Sequence, residues 1–265
     1  MSIEQQANFQ VNDLNHYQQI GRGQDLILLH GWGVSSAIWK TIAEQLSQHY
    51  RVHLVDLPGF GGAAEVSEYS LANIAKEILP SLPSNAIWCG WSLGGLVATY
   101  IAYYYPERVD KLIQVCTSLK FVEDAQWLGV KKDVFDTFKV GVNKHPKKTL
   151  NRFLSLQAMG SETVKSDILA IKDLLKEQGE ATATALTSGL DLLNDVDLRE
   201  QFKQLTIPSL SLFGEFDTLV PIANIEAIKK LSHFNQQVIF KHSAHAPFIS
   251  ETQAFKAALL DFIGE

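Results

Sequence analysis

Short apolar runs recur along this chain with helix-patterned segments between them, and that alternation constrains the fold more than any other feature. Leu26–Leu29 reads as a buried strand, followed by Gly31-Trp32-Gly33. Val52–Val55 closes at Asp56, and Ala86–Cys89, Leu112–Cys116, Leu210–Phe213 and Val238–Phe240 follow. The segment near residues 15–20 is a candidate edge strand. Between them, Ser36 is placed to cap a helix through Gln48 and Ser70 to cap Leu71–Leu79, while residues 93–105 form an apolar helix stopped by Pro106. Strands alternating with helices of about 10–15 residues imply right-handed crossovers and a mostly parallel sheet. At 265 residues, one α/β domain with an insertion is expected.

The rhythm breaks between residues 120 and 190. Leu150, Phe153, Leu154 and Gln157 share one helical face, and Ile168, Ile171, Leu174 and Leu175 recur at helical spacing. The expected organisation is a core of residues 1–119 and 191–265 carrying a helical lid, 120–190, after the fourth predicted strand. Asp195 and Asp197 read as N-cap residues.

Composition excludes several classes. The 23 basic and 29 acidic side chains leave a net charge of −6, which argues against a nucleic-acid partner. The longest plain aliphatic run is Leu26–Leu29, far short of the roughly 20 apolar residues of a spanning helix. The N-terminal residues lack a basic and apolar leader, so a cytoplasmic protein is expected. Cys89 and Cys116 each sit in an apolar run and read as small buried residues, with no metal or cofactor.

Gly90-Trp91-Ser92-Leu93-Gly94-Gly95 follows a predicted strand and opens a predicted helix. In that context Gly-x-Ser-x-Gly is a nucleophile turn: the serine occupies strained dihedrals, and its neighbours must be small for the helix to pass close by. A serine hydroxyl needs a base, and the base an orienting acid. Asp217 lies in the loop after the fifth predicted strand, with Glu215 as its rival, and His245 follows the sixth, with His242 as its rival. Both loops leave the carboxyl ends of strands, where ligands bind in open α/β sheets. The order Ser92, Asp217, His245 is one of those known for such triads. For an oxyanion, the backbone N–H groups of Leu93 and of Trp32, in His30-Gly31-Trp32-Gly33, are the expected donors. His30 is expected to brace that loop, and the Trp32 indole to wall the pocket.

These residues make the chain resemble the α/β-hydrolase superfamily over essentially its whole length. Leu28–Gly33, Leu54–Gly61, Gly90–Val97, Ala244–Ser250 and Arg152–Gly160 together resemble, more narrowly, the biotin-pathway carboxylesterases that act on pimeloyl-[acyl-carrier protein] methyl ester. The resemblance implies a serine esterase releasing methanol and pimeloyl-[acyl-carrier protein], with no cofactor. It implies substrate contacts at Trp32, Ser92, Leu93, Phe153, Leu154, Ser155, Leu156, Gln157 and His245. The same fold and triad serve broad short-chain carboxylesterases and C–C bond hydrolases, which remain the alternatives.

Charge distribution points toward a partner. Residues 120–176 hold 11 of the 23 basic side chains against seven acids, a local excess of +4 on a body of −10. Lys144, Lys148 and Arg152 are spaced to form one positive stripe if a single helix carries them. With Lys165 they form the expected docking set for an acidic acyl-carrier protein, on a monomeric enzyme with no membrane contact. The family's docking patch is arginine-rich; here lysine predominates, and Leu169 stands where an arginine is expected.

Overall fold

The computed structural model describes residues 10–12, 17–176 and 179–264. Eight strands form one sheet: β1 Gln10–Asn12, β2 Tyr17–Ile20, β3 Gln24–Leu29, β4 Tyr50–Val55, β5 Ala86–Trp91, β6 Val109–Val115, β7 Ser209–Gly214 and β8 Asn235–Phe240. Their order is β1-β2-β4-β3-β5-β6-β7-β8. The β1–β2 and β2–β4 pairs are antiparallel and the rest parallel. All six apolar runs are strands. The segment expected at the edge forms β2, with residues 15 and 16 outside the described residues, but it is not the edge: β1, which was not anticipated, pairs on its outer side.

The central strands carry buried apolar runs because both faces of the sheet are covered. On β3, Ile27 and Leu29 enter one core cluster and Leu26 and Leu28 the other. The first cluster includes residues of helices α2 Leu71–Ile78 and α3 Leu93–Tyr104, and the second those of α1 Lys40–Leu46 and α11 Thr252–Gly264. Ser70 caps α2 as expected, its side chain accepting from Asn73 N. The first helical segment differs. Ser35, extended at φ −131°, supplies the cap by accepting from Ala37 N. Ser36 is already in the opening turn, and its N–H donates to Asp56 Oδ1 at 2.6 Å.

Between β6 and β7 the described residues form five helices, of which the first four are α4 Lys132–Lys144, α5 Pro146–Leu156, α6 Val164–Leu174 and α7 Ala183–Asp195. Helix α7 runs through residue 190, so Asp195 ends that helix rather than capping the next. Asp197 Oδ1 accepts from Arg199 N at 3.2 Å, at the start of α8 Arg199–Lys203. Helix α9 Ile225–Leu231 precedes β8, and α10 Pro247–Ser250 precedes α11. After β3 the chain adds β4 on one side and then β5 on the other. The loops leaving β3 and β5 therefore diverge at a switch point, where a crevice opens.

Candidate active site

Ser92 stands at that switch point, between β5 and α3, with φ 55° and ψ −116°. Among the described residues only Cys116 shares with it a positive φ without being glycine. Close approach fixes the turn. A Cβ on Gly94 would lie 2.5 Å from Leu29 O and His30 O, and one on Gly90 would lie 2.2 Å from Gly94 O. Thr117 Oγ1 donates to Ser92 O at 3.2 Å, tying the turn to the end of β6.

The loops after β7 and β8 bring Asp217 and His245 together. His245 Nδ1 donates to Asp217 Oδ2 at 2.7 Å, and both side chains are 1% exposed. Asp217 Oδ1 accepts from Leu219 N at 2.8 Å and Val220 N at 3.0 Å, so the carboxylate is fixed by its own loop. His245 Nε2 is buried and has no hydrogen-bond partner among the described residues. The histidine is held beside the serine turn by Trp91, whose Nε1 donates to His245 O at 2.7 Å. Its backbone N–H donates to Gln157 O at 3.0 Å, where α5 ends. The two rivals are engaged elsewhere: Glu215 pairs with Lys241 at 2.8 Å and exposed His242 with Glu162 at 2.9 Å.

The loop after β3 lies against Ser92, since a Cβ on Gly31 would lie 3.2 Å from Ser92 Cβ. His30 Nδ1 donates to Gly31 O at 2.7 Å, and its Nε2 accepts from Leu57 N at 2.9 Å. Burial lowers its pKa against the opposing pull of Asp56, in keeping with this neutral bracing tautomer. Trp32 is 1% exposed. Its Nε1 donates to Leu186 O at 2.9 Å, and its ring meets Phe138 and Phe153 edge-on at 5.6 and 5.0 Å. One side chain thus joins the β3 loop to α4, α5 and α7. Leu93 heads α3, fully buried.

At the end of α5, Phe153, Leu154 and the C-cap Gln157 are buried while Ser155 and Leu156 are half-buried. Gln157 Oε1 is buried without a partner among the described residues. A cleft of about 530 Å³ opens nearby, lined by Gly33, Val34, Leu150, Leu154 and Leu186, with Lys147 and Lys172 among its polar lining. Ser92, Asp217 and His245 do not line it.

The single basic stripe does not form. Helix α4 ends at Lys144, His145 leaves helical geometry at φ −143° and ψ 63°, and Pro146 starts α5. Lys148 and Arg152 share α5, and Lys144 and Lys165 belong to the neighbouring helices. All four are exposed. None has an ion-pair partner among the described residues, whereas Lys132, Lys139, Lys147 and Lys176 are paired with acids.

Sequence reasoning missed the parts played by the Trp91 indole and the Gln157 carbonyl, because neither bond has a spacing signature. It also missed that Cys116 lies beside the acid and the histidine: ligating atoms of Cys116, Asp217 and His245 fall within 4.8 Å of one another. In that trio Asp217 Oδ2 already accepts from His245 Nδ1.

Residues 26–252 match the family described as alpha/beta hydrolase fold. A pimeloyl-[acyl-carrier protein] methyl ester esterase of Vibrio vulnificus is 42% identical over 250 residues, covering 94% of this chain and 98% of the relative. One of Vibrio cholerae is 40% identical over 247 residues, covering 93% and 97%. Among solved structures, an esterase from Exiguobacterium antarcticum superposes with a TM-score of 0.85 at 22% identity, covering 98% of this chain and all of the other. The enol-lactonase from Burkholderia xenovorans gives 0.83 at 18%, covering 97% and 100%; at such identities the likeness is one of fold. Matched over most of its length by that family and by relatives at 40% identity or more, this chain belongs to the α/β-hydrolase fold family, in the group of the pimeloyl-[acyl-carrier protein] methyl ester esterases.

Proposed function

We propose that this chain is a serine carboxylesterase that hydrolyses the methyl ester of pimeloyl-[acyl-carrier protein], yielding methanol and pimeloyl-[acyl-carrier protein] in the biotin pathway. The observation that carries the chemistry is the buried Asp217–His245 pair, 2.7 Å apart, with the far imidazole nitrogen unpartnered beside a strained serine turn. The relatives' activity supports the choice of substrate.

In this reading Ser92 Oγ attacks the ester carbonyl carbon while His245 Nε2 takes its proton. The oxyanion is held by the backbone N–H groups of Trp32 and Leu93, each worth about 2.7–4 kcal/mol in the transition state. His245 returns the proton to the departing methoxide, giving methanol and an acyl-Ser92. Water then gives a proton to His245 and attacks the acyl carbon; the acyl–Oγ bond breaks, His245 returns the proton to Ser92 Oγ, and the pimeloyl carboxylate is released. Asp217 remains ionised and fixes the imidazole orientation.

Residues 120–190 act as the lid, and its last α5 turn, Phe153 to Gln157, borders the acyl chain. Unpaired Lys144, Lys148, Arg152 and Lys165 attract the acidic carrier, and the cleft lined by Leu150 and Leu154 leads its acyl arm inward. The enzyme works as a cytoplasmic monomer.

The test is a competition between pimeloyl-carrier-protein methyl ester and a p-nitrophenyl ester across a salt series, with Ser92→Ala as control. Preference for the carrier ester, weakening with salt and reduced by Lys148→Glu with Arg152→Glu, is the expected result. Equal turnover of the simple ester with no salt effect leaves a generic esterase.

A further inference from the structure

The cleft of about 530 Å³ between the lid helices has a polar rim and an apolar floor. Its polar side chains are Lys147, Asn151, Lys172 and Glu180, all exposed, while Val34 and Leu154 beneath them are buried. Lys147 is engaged: its Nζ lies 2.8 Å from Glu180 Oε1, so that pair brings no net charge to the rim. Lys172 also lines the cleft and has no hydrogen-bond or ion-pair partner among the described residues. The rim therefore carries a net charge of +1, and Lys172 supplies it. Its place follows from helix α6. Lys165, Leu169 and Lys172 fall on one face, opposite the buried Asp167 and Ile171. Leu169, 62% exposed, separates the two cations. One face of α6 thus offers Lys165 to the outside and Lys172 to the cleft.

We propose that Lys172, with Asn151 of α5, forms a phosphate subsite that grips the phosphodiester through which an acyl-carrier protein holds its pantetheine arm. The inference rests on the carrier-ester reading given above and adds the point at which the arm is held. The chemistry of the cleft matches the arm from end to end. A phosphodiester is anionic, and an unpaired ammonium beside an amide donor suits it. The rest of the arm is uncharged and slender, as the buried apolar floor requires, and the cleft has the volume of a small-molecule site. Glu180, the acid on the rim, is neutralised by Lys147 and does not repel the phosphate. Lys148, Arg152 and Lys165 stay available to the acidic body of the carrier.

The test separates the phosphate from the carrier protein. Methanol release is measured for the methyl-pimeloyl thioesters of 4′-phosphopantetheine and of pantetheine, which differ only in the phosphate. The wild type is expected to show a KM about tenfold lower for the phosphorylated ester, the effect of one charge-assisted hydrogen bond at an open rim. The preference should shrink as salt is raised. Lys172→Gln should bring the KM ratio close to one, and Lys172→Arg should retain it. A general disturbance of the lid would change both esters alike and leave the ratio in place. Equal KM values in the wild type, or a preference that survives Lys172→Gln, overturn the proposal. Turnover of both esters without a phosphate effect removes the subsite and leaves the esterase reading intact. Turnover of neither sinks the esterase reading, and the subsite with it.

Discussion

Ser92 is the residue at which catalysis and stability should trade most visibly. Its φ of 55° and ψ of −116° lie outside the regions open to residues with a Cβ. Such a placement costs about 1–3 kcal/mol. The turn cannot relax, because Ser92 N donates to Val115 O at 3.0 Å, and Ser92 O accepts from Gly95 N and Leu96 N at 3.0 and 3.3 Å. Ser92→Gly removes the Cβ responsible for the strain. Glycine's greater freedom in the unfolded chain returns about 0.5–1 kcal/mol of that gain. The net expectation is a stabilisation of about 0.5–2 kcal/mol, or roughly 1–6 °C in Tm for a chain of this size. Ser92→Ala keeps the Cβ, and with it the strain. Both variants should lose esterase activity, but only the glycine variant should melt above the wild type. Scanning calorimetry of the three proteins side by side reads the difference. A Ser92→Gly protein that melts no higher than Ser92→Ala would show that no strain is stored there, and the account of the turn fails.

Three further outcomes follow from the same geometry. Asp217→Asn keeps the shape of the pair but lets His245 adopt the wrong tautomer, so kcat should fall about 10⁴-fold with little change in Tm; a loss under tenfold would remove Asp217 from its role. Trp32→Ala deletes an indole that bonds Leu186 O and packs on Phe138 and Phe153; it should destabilise by about 3–5 kcal/mol in urea melts, and a cost under 1 kcal/mol would mean the insertion does not depend on that contact. Burial also lowers the pKa of His30 and His53 from 6.5, against the opposing pull of Asp56 and Asp25. The unfolded chain therefore takes up protons as pH falls below 6.5 while the folded chain resists. Stability should be full above that pH and decline beneath it, and a urea midpoint unchanged between about pH 7.5 and 5.5 would contradict this linkage.

The sequence alone determined the six apolar strands of the sheet, the position of the serine turn and the candidate acid and base. Strands buried on both faces read as unbroken apolar runs whatever surrounds them, and a strained serine between a strand and a helix needs glycines at fixed spacing, as Gly90 and Gly94 supply. Helical periodicity likewise revealed the inward face of α5, where Phe153, Leu154 and the C-cap Gln157 are buried and Leu150 half-buried. Only the tertiary structure decided which of two carboxylates and two histidines meet, because Asp217 and Glu215, like His245 and His242, differ by a turn of loop and not by chemistry. It also broke the basic stripe, since His145 leaves the helix before Pro146 and Lys144 cannot align with Lys148. The bonds from Trp91 to His245 O and from His245 N to Gln157 O, and the place of Cys116 beside the acid, join residues dozens of positions apart. No local pattern encodes them: they exist only because the ends of β5, β6, β7 and β8 converge on one edge of the same twisted sheet.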